Sequence, residues 1–344
     1  MKKIRKALIF VSVYFIIIFA SSEVCIRIFY PQPISYFFPY SSEQWLNGTE
    51  DEPSKWGIVP SKTLGFKIKP DMFDKTRNEL KDKNTFRLIV LGDSVTIDAC
   101  PPPAYSLLLE NFLNKGVNKT FFEVWNLGVP TYNTAQEKEL FKERGLSLKP
   151  DMVILGFCLN DFTPGMLAMK KNGKVVLYQA TDDIWLRINP FLFSKSSLYR
   201  LIVSRLMQYK TETVAKKNIG LYEKAKEYKH LSERYYNLVY DSLGYIKTVS
   251  SQEKIKFLLL IFPLMKNYNQ YSLYEKDAYN AILGIVNKLN IDYIDFRQYF
   301  EKPGILEKVR YLDRNSDYLH FNNEGHTIVA DVLYKYLIDK KLLN

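Results

Sequence analysis

Near the C-terminal end, DYLHFNNEGH places Asp317 and His320 three residues apart, a spacing that can do chemistry. On one helical turn, side chains at i and i+3 share a face, so the carboxylate accepts one imidazole N–H while the other ring nitrogen points outward. A hydroxyl brought to that nitrogen gains a general base, and the carboxylate fixes the tautomer and stabilises the imidazolium. Far upstream, the aliphatic run of LIVLGDSV ends in Gly92-Asp93-Ser94. A buried parallel strand that stops at a glycine, with a hydroxyl just past its carboxyl end, is where open α/β sheets put reactive groups. Ser94 is therefore a candidate nucleophile, although on these residues alone it reads equally well as a helix cap. An acyl transition state also needs donors for its oxyanion, and the backbone N–H groups of Ser94 and Gly128 with the Asn160 amide supply three.

Such a site requires elements that bring distant segments together. From Thr85 onward, strand-length apolar runs at 86–92, 121–128, 151–157, 256–263 and 291–296 alternate with amphipathic segments at 105–114, 135–145, 235–250 and 274–289. A last helix covers about Glu324 to Leu342. This alternation implies right-handed crossovers and a parallel sheet covered on both faces, an α/β three-layer sandwich. The stretch from Phe162 to about Glu233 exceeds a plain crossover, and SSLYRLIVSRLMQY followed by a Lys/Glu-rich segment predicts a helical insertion. Pro31 to Asn84 holds six of the 15 prolines and reads as an irregular stalk, with a short strand at LGFKI, 64–68. The expected organisation is a membrane helix at 1–29, a stalk at 30–84 and a catalytic domain at 85–344.

The N-terminus pairs Lys2, Lys3, Arg5 and Lys6 with the apolar run Ala7 to Ala20. That pattern fits an uncleaved signal anchor or a cleaved secretory signal; either leaves the lysines in the cytoplasm and exports the rest. The anchor is favoured because helical character continues to Phe29, so the expected location is extracytoplasmic and membrane-anchored. Lys plus Arg, 48, exceeds Asp plus Glu, 37, but the surplus is spread out, with no basic stripe interleaved with aromatics. Nucleic acid is not an expected partner. Nor is there a Cys/His zinc spacing or a Gly-rich phosphate loop, which weighs further against nucleic acid, and no cofactor is expected. Cys100 and Cys158 both fall near the predicted site, either bridged after export or as free thiols. His326 reads as a packing residue, His230 as part of a solvated helical face, Asp161 as a helix cap, and Asp93 as ordering its turn.

GDSV, the strand-end glycine of NLG, the Asn160-Asp161 pair and DxxH, in that chain order, resemble the four blocks of the SGNH or GDSL-type hydrolases. These are serine esterases, lipases and carbohydrate deacylases, and the resemblance covers about residues 85–340. It implies Ser94 as nucleophile and one oxyanion donor, Gly128 and Asn160 as the other donors, His320 as base and Asp317 as its orienter. It also implies a five-stranded flavodoxin-like sheet and no metal. LGFKIKPD, EVCIRIF and NLGVPTYNTAQE further resemble the exported, singly anchored bacterial subset. Two departures stand out: Cys158 replaces the glycine common two residues before the Asn, and VTIDAC lacks a second glycine after the serine block. The expected activity is deacylation of an ester such as an O-acetylated glycan. The alternatives are O-acyl transfer to a polysaccharide, which would need an acyl-donor partner protein, and a catalytically silent envelope binding protein.

Overall fold

The computed structural model describes residues 2–29, 58–61, 64–68, 77–97, 104–115, 120–163, 165–171, 174–179, 192, 196–199, 201–203, 205–206, 231, 233–310 and 317–343. In chain order the named elements begin with α1 (Lys2–Phe29), β1 (Ile58–Ser61), β2 (Gly65–Ile68), β3 (Thr85–Gly92), α2 (Ser94–Ile97), α3 (Tyr105–Leu113) and β4 (Phe121–Asn126). Next come α4 (Thr134–Leu140), β5 (Met152–Phe157), β6 (Met166–Lys171), β7 (Lys174–Gln179), α5 (Glu233–Gln252), β8 (Lys256–Ile261), α6 (Leu273–Leu289) and β9 (Asp292–Asp295). The last are α7 (Arg297–Phe300), α8 (Ile305–Val309) and α9 (Asn323–Asp339).

The chain divides into two compact units, one of Met1–Lys55, Val59–Phe66 and Leu167–Ile219, the other of Trp56–Ile58, Lys67–Met166 and Gly220–Asn344. The second unit is built on a five-stranded sheet in the order β4-β3-β5-β8-β9, with every neighbouring pair parallel. This is the flavodoxin-like order, whose strand order reverses beside its first strand, here β3. Central strands of a parallel sheet are covered on both faces, which is why FRLIVLG and MVILGF are buried throughout and read as unbroken apolar runs. On one face, Leu88, Val90, Ile154, Leu258 and Leu260 form a core with Leu109 of α3 and Val329, Leu333 and Leu337 of α9. The intervening residues, Ile89, Leu91, Val153, Leu155 and Leu259, are also fully buried and face the opposite layer. There α4 packs on α5 and α5 on α6.

The five expected strands are all present, with ends within three residues of the expectation. The helix expected at 135–145 is α-helical only to Leu140; Phe141–Gly145 forms a wider π-helical turn and Leu146–Leu148 a tighter one. The expected helical insertion opens instead with a strand pair, β6 and β7. Short helical pieces follow at 197–199, 201–203 and 205–206, and the Lys/Glu-rich stretch lies outside the described residues. In that same unit Glu23 of α1 accepts hydrogen bonds from the Ser196 hydroxyl (2.8 Å) and the Ser197 and Leu198 N–H groups (2.7 and 2.8 Å). The expected membrane helix is not supported: among the described residues, no helix is long and apolar enough to cross a membrane. The stalk falls largely outside the described residues, apart from β1, β2 and the segment from Arg77.

Candidate active site

Ser94 is the first residue of α2, immediately beyond the carboxyl end of β3. The Asp93 carbonyl accepts the Thr96 and Ile97 N–H groups (both 3.1 Å), and its carboxylate accepts the Val95 N–H at 2.9 Å. Asp93 thus orders the turn, as expected, and the chain reverses sharply enough to hold the hydroxyl above the sheet. Two facing glycines make the turn sterically possible. Gly92, with φ +152°, pairs with Gly156 of β5, and a Cβ on either would fall 2.1 and 2.6 Å from the Thr96 hydroxyl. Thr96 in turn shares a hydrogen bond with the buried Tyr105 hydroxyl at 3.0 Å.

From the other end of the chain, the segment before α9 brings in the imidazole. The Ser94 hydroxyl lies 2.8 Å from His320 Nε2, and His320 Nδ1 lies 3.0 and 2.9 Å from the two oxygens of Asp317. Because Nδ1 faces a carboxylate, it carries the proton, and Nε2 is left to accept from Ser94. The i,i+3 relation does not come from a helix. Asp317 Oδ1 accepts the Leu319 and His320 N–H groups, both at 3.1 Å, so the side chain folds its own turn. Burial opposes the ionised form of Asp317, but the hydrogen bond and charge of His320 and the two backbone donors outweigh it, and its pKa falls to about 2. Phe321 anchors this turn in the core, against Phe262, Phe300 and His326.

Residues 90–328, which span all of these groups, match the family model of the GDSL-like lipase/acylhydrolases. The chain belongs to this family. Its fold is that of the SGNH-type hydrolases. No curated protein sequence matches the chain. Solved structures similar to this chain include a lipase/acylhydrolase from Enterococcus faecalis, 15% identical, covering 74% of this chain and 96% of that one with a TM-score of 0.44. Axe2, an acetylxylan esterase from Geobacillus stearothermophilus, is also 15% identical, covering 73% and 93% with a TM-score of 0.44.

The three expected oxyanion donors are not alike. Ser94 begins α2, where an N–H has no intrahelical acceptor, so its donor is available. Asn160 donates one amide hydrogen to Asp93 Oδ2 at 2.8 Å, which leaves the second. Gly128, by contrast, donates its N–H to Asn126 Oδ1 at 2.9 Å. The structure therefore does not present Gly128 as a free donor. Its glycine identity has a steric reason: a Cβ there would fall 2.6 Å from the Ile97 nitrogen of α2. Three residues on, Thr131 holds φ +69°, an uncommon conformation for a β-branched residue.

Asn160 itself rides on the turn Leu159–Phe162 after β5. Cys158, in the place of the common glycine, has φ −115° and ψ 157°, extended backbone that any residue adopts. Asp161 closes its own turn, accepting the Cys158 N–H at 2.9 Å, rather than capping a following helix. The Cys158 thiol is free, buried and directed at Asp93 Oδ1 at 3.6 Å, and burial pushes its pKa well up. Asp98, Ala99 and Cys100, the part of VTIDAC after Ile97, lie outside the described residues, as does His230. His326 packs as expected. It stacks on Tyr105, accepts the Tyr105 N–H at 3.3 Å, and burial together with the His320 charge lowers its pKa to about 4. Among the described residues, no cluster of His, Cys, Asp and Glu could hold a metal ion.

The sequence reading missed Tyr105, Thr96 and Glu137 as parts of this region. The only hint for Glu137 was its place in NTAQE, directly after the strand-end loop.

Proposed function

We propose that this GDSL-like acylhydrolase is a serine esterase with Ser94 as nucleophile, His320 as general base and acid, and Asp317 as the orienting carboxylate. The observation that carries this reading is the 2.8 Å contact of Ser94 Oγ with His320 Nε2, made across 226 residues of chain, with Asp317 on the far ring nitrogen. In the first step the Ser94 proton passes to Nε2 as Oγ bonds to the ester carbonyl carbon, and the carbonyl electrons move onto oxygen. The Ser94 N–H and the free hydrogen of the Asn160 amide receive that oxyanion. Collapse expels the alcohol, which takes the proton from His320 and leaves an acyl-Ser94. Water then repeats the sequence and releases the acid.

The substrate we propose is an O-acetylated glycan or another ester of the cell envelope. It is supported by the family's acylhydrolase chemistry and by an N-terminal segment that reads as an export and anchoring signal. Phe10, Ile17, Ile18 and Phe19 of α1 expose large apolar surface in keeping with attachment to an envelope membrane. Sedimentation of the chain with membranes, and its resistance to release by carbonate, checks this location.

The deciding experiment treats the full chain with a fluorophosphonate and measures p-nitrophenyl acetate turnover for the wild type and Ser94→Ala. Labelling and turnover that both vanish in the variant support the reading; labelling that survives in it refutes Ser94 as the nucleophile. Acyl product appearing on an added glycan acceptor would assign transfer in place of hydrolysis.

A further inference from the structure

Beneath the Asn160 turn lies a group that the esterase mechanism does not use. Glu137, in the first turn of α4, is 0% exposed, and among the described residues neither of its carboxylate oxygens has a hydrogen-bond partner. Charged carboxylates are almost never buried without donors, because the cost of removing the charge from water is far larger than that of neutralising the group. The charges that face it are Asp161, from the turn after β5, and Asp93, from the turn after β3. Two other titratable groups feel its charge, the Tyr105 hydroxyl of α3 and the Cys158 thiol. All four are acids, so among the described residues none of the groups coupled to Glu137 compensates a negative charge on it.

Asp161 has the complementary defect. Its Oδ2 accepts the Cys158 N–H at 2.9 Å, but its Oδ1 is buried with no hydrogen-bond partner among the described residues. Two carboxyl groups with unpartnered oxygens in one buried region are reconciled by a single proton held between them. The backbone donor on Asp161 favours the ionised form there, and Glu137 receives no donor at all, so the proton belongs on Glu137. We infer that Glu137 is a neutral carboxylic acid whose O–H donates to Asp161, making it a positioning residue for the Cys158–Phe162 turn that carries the Asn160 amide. Burial, and then the charges of Asp161 and Asp93, raise Glu137 well above the ordinary carboxylate range. Burial and Asp93 raise Asp161 too, against the Cys158 N–H and the influence of the neighbouring Thr134.

The role follows from the connections of the turn. Asp161 ties its start through Cys158, Asp93 ties the Asn160 amide, and the Asn160 carbonyl accepts the Thr163 N–H and hydroxyl at 2.9 and 2.6 Å. Releasing Asp161 loosens the carboxylate that holds the start of the turn, and displacing a catalytic donor by about 1 Å can cost on the order of 10²-fold in rate.

The inference rests on the esterase reading for its kinetic consequence but not for its protonation state, so the test uses both. Full-length wild type, Glu137→Gln and Glu137→Met are compared. In infrared spectra at neutral pH, the wild type shows the carbonyl stretch of a protonated carboxyl that Glu137→Gln lacks; a wild type without that band overturns the inference. In urea titrations, a raised pKa makes wild-type stability fall relative to Glu137→Gln as pH rises above the ordinary value of 4.5; parallel profiles overturn it. With p-nitrophenyl acetate, Glu137→Met lowers kcat by about tenfold or more with KM little changed, and Glu137→Gln, whose amide can donate to Asp161, recovers most of the loss. A kcat for folded Glu137→Met equal to wild type overturns the positioning role. If the wild type hydrolyses no ester, the esterase reading fails while the infrared and urea results still decide the state of Glu137.

Discussion

Replacing Asp317 by Asn separates the orientation of His320 from its mere presence. The Asn side chain can keep its oxygen at the Oδ1 position, where it still accepts the Leu319 and His320 N–H groups at 3.1 Å, so the turn persists. Its NH₂ then occupies the Oδ2 position, 2.9 Å from His320 Nδ1. A donor there forces Nδ1 to accept, the ring proton moves to Nε2, and Nε2 can no longer take the Ser94 proton across 2.8 Å. The corresponding change in another serine hydrolase lowers kcat by about 10⁴-fold, equivalent to about 5 kcal/mol of transition-state stabilisation. The same loss is expected for kcat with p-nitrophenyl acetate here. Stability should change far less. Asp317 has a depressed pKa, from 3.8 to about 2, so its stabilising contribution is full above 3.8 and disappears as pH falls through about 2. That shift is worth about 2 kcal/mol at neutral pH. The wild type should therefore exceed Asp317→Asn in urea stability at pH 7, with the gap closing near pH 2. An Asp317→Asn enzyme within tenfold of wild-type kcat would refute the tautomer argument.

Three further outcomes follow from the same region. His326 is held neutral, with its pKa depressed from 6.5 to about 4, so its contribution is full above 6.5 and is lost as pH falls toward 4. The loss amounts to about 3 kcal/mol, and urea midpoints at several pH values should show this slope in the wild type and not in His326→Phe. Gly128→Ala puts a methyl 2.6 Å from the Ile97 nitrogen and 3.0 Å from Thr96 Cγ2, so thermal unfolding should show a loss of about 1–3 kcal/mol. Since α2 carries Ser94, kcat should fall with it. Thr131→Gly relieves a left-handed φ of +69° at an exposed position, and calorimetry should show a gain of up to about 1 kcal/mol after glycine's own entropic cost. An unchanged or lower Tm would mean that the threonine side chain makes contacts that offset its strain.

The sheet was legible because a strand covered on both faces must be apolar along its whole length, and 86–92, 151–157 and 256–263 are the runs that meet this demand. Ser94, Asn160, Asp317 and His320 were legible because their chemistry restricts residue type at strand ends and at one short spacing. The pair β6 and β7 was missed for want of weight on Asn172-Gly173, a hairpin signal between AMKK and KVVLY that the helical character of the later insertion obscured. The turn of 317–320 was assigned to a helix because i,i+3 proximity is ambiguous. A side chain that accepts its own downstream N–H groups produces the same proximity without one. Glu137 escaped notice because acids in an amphipathic helix are assigned to water by default, and only the packing of α4 against its neighbours contradicts this.

In the proposed mechanism, the hydrogen bond of Gly128 to Asn126 changes how the oxyanion is stabilised. With that N–H taken up, two donors remain, one from the helix start at Ser94 and one from Asn160. The second is anchored by a carboxylate, and Asp93, Asp161 and Glu137 together would set three negative charges behind a donor meant to receive a fourth. Such a field opposes the developing oxyanion, and water that could screen it is excluded from Asp93, Asp161 and Glu137, each no more than 1% exposed. Holding the proton of Glu137 removes one of those charges and converts the group from a repulsive neighbour into a donor that fixes Asp161. In the proposed mechanism the neutral acid below the turn and the half-committed amide above it are therefore one arrangement: Asn160 stabilises negative charge at the ester only while the carboxylates behind it are kept from accumulating their own.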